Sequence, residues 1–229
     1  MQKYLLFDAD NTLFDFDKAS EVAFAETLRA FKIPQGKDTF SVYLKINKMC
    51  WEQLERGEIS PVQIKSLRFQ LFLEAVNAEG NPLAINDFYL NRLGEKDYLL
   101  SGVREMLQRL KNAGYSLSII TNGLQLVQRP RIEKAGLTQM FDAITVSEEI
   151  GCAKPYPEFF ADTFRQLNYP PAEETVVIGD NLLSDILGGK NIGANTIWFN
   201  PHGKDNLTEI SPDYTAASIT ELEKIILSL

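Results

Sequence analysis

Tyr4-Leu-Leu-Phe-Asp8-Ala-Asp10-Asn-Thr12-Leu-Phe-Asp15-Phe-Asp17 is the stretch on which the fold turns. Residues 4–7 form an apolar run that reads as a strand entering a core, and it meets four aspartates within ten residues, at 8, 10, 15 and 17. A buried strand has no reason to end in acid unless its end faces something other than protein. In open parallel sheets the ligand crevice lies outside the carboxyl ends of the strands. The first two aspartates fall at such an end. Asp15 and Asp17 read instead as the start of a following helix, where an aspartate serves as a cap or a favourable N-terminal charge.

Further short apolar runs repeat the pattern: 117–121, 143–146, 176–178 and 196–199. Helical patterns separate most of them. Val103, Met106, Leu107 and Leu110 share one face, with Gly114 as a stop signal, and Phe159, Phe160, Thr163, Phe164 and Leu167 share another. Strand alternating with helix predicts an α/β fold, a mostly parallel sheet covered by helices on both faces. Residues 17–97 break the alternation, with helical patterns only, near 18–31, 39–55, 61–78 and 83–93. Ser60-Pro61 looks like an N-cap followed by proline at the first helical position. Ile64, Leu67, Leu71, Phe72 and Ala75 then recur at helical spacing. The expected organisation is an α/β core built from 1–16 and 98–229, interrupted after its first strand by an all-α insert, 17–97. The aromatics and Met49 of the insert are expected in its core.

Composition narrows the chemistry. No apolar run approaches the roughly 20 residues of a membrane helix. The N-terminus lacks a signal-peptide pattern, because only four apolar residues separate Lys3 from Asp8. The expected location is the cytoplasm, away from membranes. Cys50 and Cys152 form no CxxC or metal spacing and read as buried, reduced thiols. A formal net charge of -8 argues against a nucleic-acid polymer as partner. It also means that an anionic substrate needs a cation to screen it from the acids. The single histidine, His202, sits between Pro201 and Gly203 and reads as a surface loop residue. Histidine chemistry is thereby closed: neither a His-rich zinc site nor a Ser-His-Asp triad can be built. Acid–base work falls to carboxylates or lysine. Oligomeric state is not readable; a monomer is the default and a homodimer the alternative.

Four strand ends carry candidate chemistry. In Asp8-Ala-Asp10-Asn-Thr12 the two aspartates lie on one side of an extended chain. Held close, they cannot both ionise freely, which provides a nucleophile and an acid from one residue type; alone, the pair reads equally as a capped turn. Thr121-Asn122-Gly123 offers a hydroxyl and a backbone amide to a phosphate oxygen. Lys154, in Gly151-Cys-Ala-Lys-Pro155, is a fixed ammonium able to neutralise a phosphoryl group, or a solvated surface lysine. Val177-Ile-Gly-Asp180-Asn-Leu-Leu-Ser-Asp185 again runs from strand into acid. Facing Asp8 and Asp10, these carboxylates would form an all-oxygen site for Mg2+; Asp185 could equally be a helix N-terminal charge.

The set Asp8-x-Asp10-x-Thr12, Thr121, Lys154 and Gly179-Asp180-x4-Asp185 resembles the four motifs of the haloacid dehalogenase superfamily of phosphohydrolases, in order and in spacing, and the resemblance covers the whole chain. The insert resembles that superfamily's C1-type helical cap. The run Thr121-Asn-Gly-Leu-Gln through Lys154-Pro155 is similar to bacterial house-cleaning pyrimidine 5'-nucleotidases, which act on nucleoside monophosphates such as dUMP. The resemblance implies a Rossmann-like core with an inserted all-α cap, and a Mg2+-dependent phosphomonoester hydrolase. It implies Asp8 as the nucleophile that becomes an aspartyl-phosphate. Asp10 would protonate the leaving oxygen and then activate water. Thr121 and the Asn122 amide would bind the phosphoryl group, and Lys154 would offset its charge. Asp8, the Asp10 carbonyl and Asp180 would hold Mg2+, with Asp185 a ligand through water or a support to Lys154.

Other readings share parts of this pattern. Dehalogenases use the same nucleophile without metal but keep no acid two residues after it, so Asp10 favours phosphoryl transfer. A phosphatase for phosphoglycolate or sugar phosphates, or a phosphomutase, shares all four motifs. A phospho-accepting receiver module shares the acidic Mg2+ site and lysine. The helical insert and the nucleophile's place after the first strand argue against it.

Overall fold

The computed structural model describes residues 4–229. Along the chain run β1 (Tyr4–Phe7), α1 (Phe16–Ala30), α2 (Thr39–Glu55), α3 (Pro61–Ala75), α4 (Pro82–Gly94), α5 (Val103–Asn112), β2 (Ser116–Thr121), α6 (Gln125–Lys134), β3 (Ala143–Val146), α7 (Ser147–Ile150), α8 (Pro157–Gln166) and β4 (Thr175–Gly179). A π-helical turn, Leu182–Ile186, leads into α9 (Leu187–Asn191); β5 (Asn195–Phe199), β6 (Tyr214–Ala216) and α10 (Ile219–Ser228) follow.

The chain divides into two compact units, one of residues up to Phe16 together with Asp97–Leu229, the other Asp17–Lys96. In the first, six parallel strands lie in the order β3-β2-β1-β4-β5-β6. The sheet is Rossmann-like: the chain steps from β1 to β2 on one side and then returns to β4 on the other. The carboxyl ends of β1 and β4 therefore flank the switch point, where such sheets open a crevice.

Side chains alternate across the sheet because of the two-residue period of a strand. Leu5, Phe7, Leu117, Ile119, Val176, Ile178, Ile197 and Phe199 face one core, with Val103, Met106, Leu107 and Leu110 of α5 and Leu222 and Ile226 of α10. Leu6, Ile120 and Val177 face the other, with Phe159 and Phe160 of α8. Burial on both faces is why the central strands read as continuous apolar runs. β6 has no such run: two of its three residues are exposed, and it joins as an edge strand by pairing with β5.

The helical unit packs its four helices around Phe24, Tyr43, Phe69, Phe72 and Tyr89, whose rings meet with centroids 4.4–6.4 Å apart. Ser60 and Gln63 form a reciprocal capping box at the start of α3. Buried Arg68 donates to Asn47 and Asn86 and lies near the Phe69 and Tyr89 rings. Met49, expected in this core, is 40% exposed on α2. Asp17 falls in the first turn of α1.

Candidate active site

The β1 ladder extends one residue beyond the strand: the Asp8 amide donates to the Ile178 carbonyl at 2.8 Å, which brings Asp8 level with the end of β4. The chain then turns sharply. The Leu13 and Phe14 amides both donate to the Ala9 carbonyl (3.0 and 2.9 Å), and the Asn11 amide donates to the Phe14 carbonyl (2.8 Å). Asn11 takes a left-handed conformation (φ 58°), which asparagine tolerates better than most residues. Asp8 is buried, while the Asp10 side chain keeps 28% of its surface.

Thr121 closes β2 and is buried; its Oγ1 accepts from the Gly123 amide at 3.0 Å. The Asn122 side chain accepts from the Lys154 amide (2.8 Å) and donates to the Lys154 carbonyl (3.0 Å). It fastens the lysine loop to the end of β2, a role the sequence reading did not assign. Lys154 is buried, not solvated. Its Nζ meets Asp8 Oδ1 at 2.6 Å, Asp185 Oδ1 at 2.7 Å and the Ile120 carbonyl at 2.8 Å. Asp180 follows β4, and Asp185 lies in the π turn beyond it, its Oδ2 accepting from the Asn181 amide at 3.1 Å. Gly179 permits this return: a Cβ there would stand 2.1 Å from Asp185 Oδ2.

Charge explains the arrangement. Burial pushes the Asp8 carboxyl well up; Lys154 opposes this, and the charges of Asp185, Asp180 and Asp10 reinforce it. Burial, aided by Asp185, pushes Asp180 up to about 7, with Lys204 and Lys154 pulling the other way. Lys204 Nζ stands 3.8 Å from Asp180 Oδ2 and is largely exposed. For Lys154, burial works against the cation, but Asp185 and Asp8 outweigh it and hold its pKa up. The lysine is therefore a permanent charge shared between two carboxylates, and Asp180 is left without a buried partner of its own.

The residues suit a divalent cation. Asp8, Asp180 and Asp185 each offer a carboxylate oxygen, all within 4.8 Å of one another. An all-oxygen, anionic donor set matches hard ions such as Mg2+, Mn2+ or Ca2+. Burial first and the neighbouring carboxylates second raise Asp8 and Asp180, and a divalent cation would relieve the repulsion among them.

Asp8, Thr121, Asn122, Lys154, Asp180 and Asp185 thus gather around the ends of β1, β2 and β4, with Asp10 on the loop that follows β1. Gln128 and Arg131 on α6, both bound to Asp10, were missed; α6 is a polar helix with no apolar stripe to mark it. His202 lies exposed in a turn, as expected, and Cys50 is buried, while Cys152 is only half-buried.

A parallel sheet whose switch point gathers aspartates around one buried lysine is the frame of an aspartate-based α/β hydrolase. The model of the haloacid dehalogenase-like hydrolases matches residues 2–193, and the chain belongs to that family. It is 33% identical over 220 residues to pyrimidine 5'-nucleotidase PynA of Streptococcus pneumoniae, covering 96% of this chain and 93% of that one. It is 33% identical over 223 residues to pyrimidine 5'-nucleotidase YjjG of Escherichia coli, covering 97% of each. Among solved structures, the HAD-hydrolase YfnB of Bacillus subtilis superposes with a TM-score of 0.93 at 33% identity, over 98% of both chains. That crystal structure is of the magnesium-bound protein and reveals interdomain movement in it.

Proposed function

We propose that this hydrolase is a Mg2+-dependent phosphomonoesterase acting through an aspartyl-phosphate, and that its substrates are pyrimidine nucleoside 5'-monophosphates. One observation carries the chemistry: Asp8 is held by Lys154 beside Asp180 and Asp185, with a second acid, Asp10, two residues further on. The similarity to PynA and YjjG over nearly the full length of the chain supports the substrate class. The helical unit is the counterpart of a C1-type cap and contributes to the choice of leaving group. Free thiols and a net charge of -8 suit a cytoplasmic enzyme.

Asp8, Asp180 and the Asp10 carbonyl would hold the metal, with Asp185, already paired with Lys154, reaching it through water or supporting the lysine. When bound, the ion adds positive charge against the phosphoryl oxygens. Lys154 provides the rest from the protein, which lets a dianion approach a carboxylate in a chain of net charge -8. Thr121 and the Asn122 amide orient the phosphoryl group. An Asp8 oxygen bonds to phosphorus while the ester P–O bond breaks, and Asp10 gives its proton to the leaving oxygen. Asp10, now ionised, takes a proton from water; the water oxygen attacks phosphorus, and the bond to Asp8 breaks to release phosphate. Covalent catalysis divides a very slow hydrolysis into two easier steps.

The test is a phosphate-release panel of p-nitrophenyl phosphate, dUMP, dTMP, phosphoglycolate and sugar phosphates, with and without EDTA. Release is expected to require Mg2+, to favour dUMP or dTMP, and to fall at least ~10⁴-fold in Asp8→Asn. Asp10→Asn is expected to lower turnover by about 10²–10⁴-fold with Mg2+ affinity retained, since its metal contact is a backbone carbonyl. Full turnover in EDTA or in Asp8→Asn would sink the mechanism, and a preference for sugar phosphates would sink the substrate class.

A further inference from the structure

α6 turns two long polar side chains toward Asp10. Gln128 and Arg131 are three residues apart, on one helix face. Both are buried, at 1% and 0% exposure. Gln128 Nε2 donates to Asp10 Oδ2 at 2.9 Å, and Arg131 Nη2 pairs with Asp10 Oδ1. The guanidinium also stacks on Phe14, 4.2 Å from the ring centroid, and Phe14 is itself tied to the Asp10 loop through the Asn11 amide. Gly123 leaves the space this needs, because a Cβ there would stand 2.1 Å from Gln128 Nε2. Nε and Nη1 of Arg131 and Oε1 of Gln128 have no hydrogen-bond partner among the described residues.

A buried cation is costly unless paired. The counter-ion of Arg131 is Asp10, and the helix spends two buried polar residues on that one carboxylate. Each oxygen is taken by one donor, so rotation of the carboxylate plane is blocked. A carboxylate has about four lone-pair sites; the remainder stay available to carry a proton, and giving that proton up restores the pairing with Arg131.

We infer that Gln128 and Arg131 are positioning residues for the acid–base step: they fix the plane of the Asp10 carboxylate for proton transfer to the leaving oxygen. This rests on the role of Asp10 proposed above. The consequence depends on the leaving group. The 5'-oxygen of a nucleotide departs as a poor alkoxide and needs the proton as the P–O bond breaks. p-Nitrophenolate is a stable anion and leaves without it. Loss of positioning therefore lowers kcat/KM for the alkyl ester more than for the aryl ester. Asp10 also deprotonates water in the second half-reaction, so phosphoenzyme accumulates with the aryl ester, whose first step is spared.

The experiment compares Gln128→Met, Arg131→Met and Arg131→Lys in the full chain with saturating Mg2+, measuring kcat/KM for dUMP and for p-nitrophenyl phosphate. In Gln128→Met and Arg131→Met the dUMP value is expected to fall about 10–100-fold, the ratio of dUMP to aryl ester to fall with it, and Arg131→Lys to recover part of the ratio. If Arg131→Met does not fold, Gln128→Met, which retains the buried volume, carries the same expectation. An equal fall for both esters, or none, overturns the inference. Asp8→Asn and Asp10→Asn separate it from the reading beneath it: if they are inactive while the ratio in Gln128→Met is unmoved, only the positioning role is lost. If Asp8→Asn turns over normally, the aspartyl-phosphate reading itself fails.

Discussion

Lys154 and Asp180 show how burial sets the character of single residues. Lys154 has two carboxylates and a carbonyl within 2.8 Å, which is why a fully buried ammonium is tolerated. Asp180 has no comparable partner and is pushed up to about 7 by burial and by Asp185. Its ordinary value is 3.8, so without metal the folded protein binds this proton more tightly than the unfolded chain does. The contribution of Asp180 to stability is therefore greatest below about 4 and is lost as pH rises to about 7. A divalent ion needs the ionised carboxylate, so its binding competes with that proton. Mg2+ affinity is expected to weaken ~10-fold from pH 8 to pH 6, and the rise in Tm on adding Mg2+ to be larger at pH 8 than at pH 6. Thermal melts with and without the ion check this; equal rises at the two values would refute it. Asp8, Asp10 and Asp180 were legible because each stands in a short motif next to an apolar run, and Lys154 because it stands in a proline-held loop after one. The side chains of Asn122, Gln128 and Arg131 were not, because what they do depends on residues 32, 118 and 121 positions away.

At the scale of the element, the turn after β4 is the most tightly determined. Gly179 lets the chain fold Asp185 back over its own backbone. In Gly179→Ala the Cβ would meet Asp185 Oδ2 at 2.1 Å, so Asp185 must leave Lys154. The expected outcome is a loss of about 1–3 kcal/mol in stability and a turnover at least ~10-fold lower. Gly114→Ala is the control. Gly114 has φ +88° with nothing within 4 Å of the added Cβ, so it is expected to lower Tm through backbone strain and leave turnover unchanged. Should the two variants behave alike in a phosphate-release assay, Gly179 has no role beyond folding. Elements with one apolar face, such as α5 with Val103, Met106, Leu107 and Leu110, were readable from spacing. α6 was not, because its buried face includes Gln128 and Arg131, and β6 was not, because pairing with β5 rather than apolar content makes it a strand.

At the scale of the whole molecule, two units carry separate cores, and the candidate catalytic residues all belong to the α/β unit. If the helical unit selects the leaving group, exchanging Asp17–Lys96 for the corresponding helices of a sugar-phosphate phosphatase should preserve Mg2+-dependent release from p-nitrophenyl phosphate. It should also lower kcat/KM for dUMP by about 10-fold or more. A folded chimera that keeps its nucleotide preference would remove the helical unit from substrate choice. No helix among the described residues is long and apolar enough to cross a membrane.

By itself the sequence determined the alternation of strand and helix, the helical interruption, and the positions of Asp8, Asp10, Thr121, Lys154 and Asp180. These are local signals, set by side-chain period and by the abrupt change from apolar to acidic at a strand end. Only the tertiary structure decided which of these groups meet: that Lys154 is buried between Asp8 and Asp185, that three carboxylates come within 4.8 Å, and that α6 holds Asp10. The reason is physical. Parallel pairing places residues more than a hundred positions apart at one edge of a sheet, and a charge acquires its pKa and its partner only once that edge excludes water.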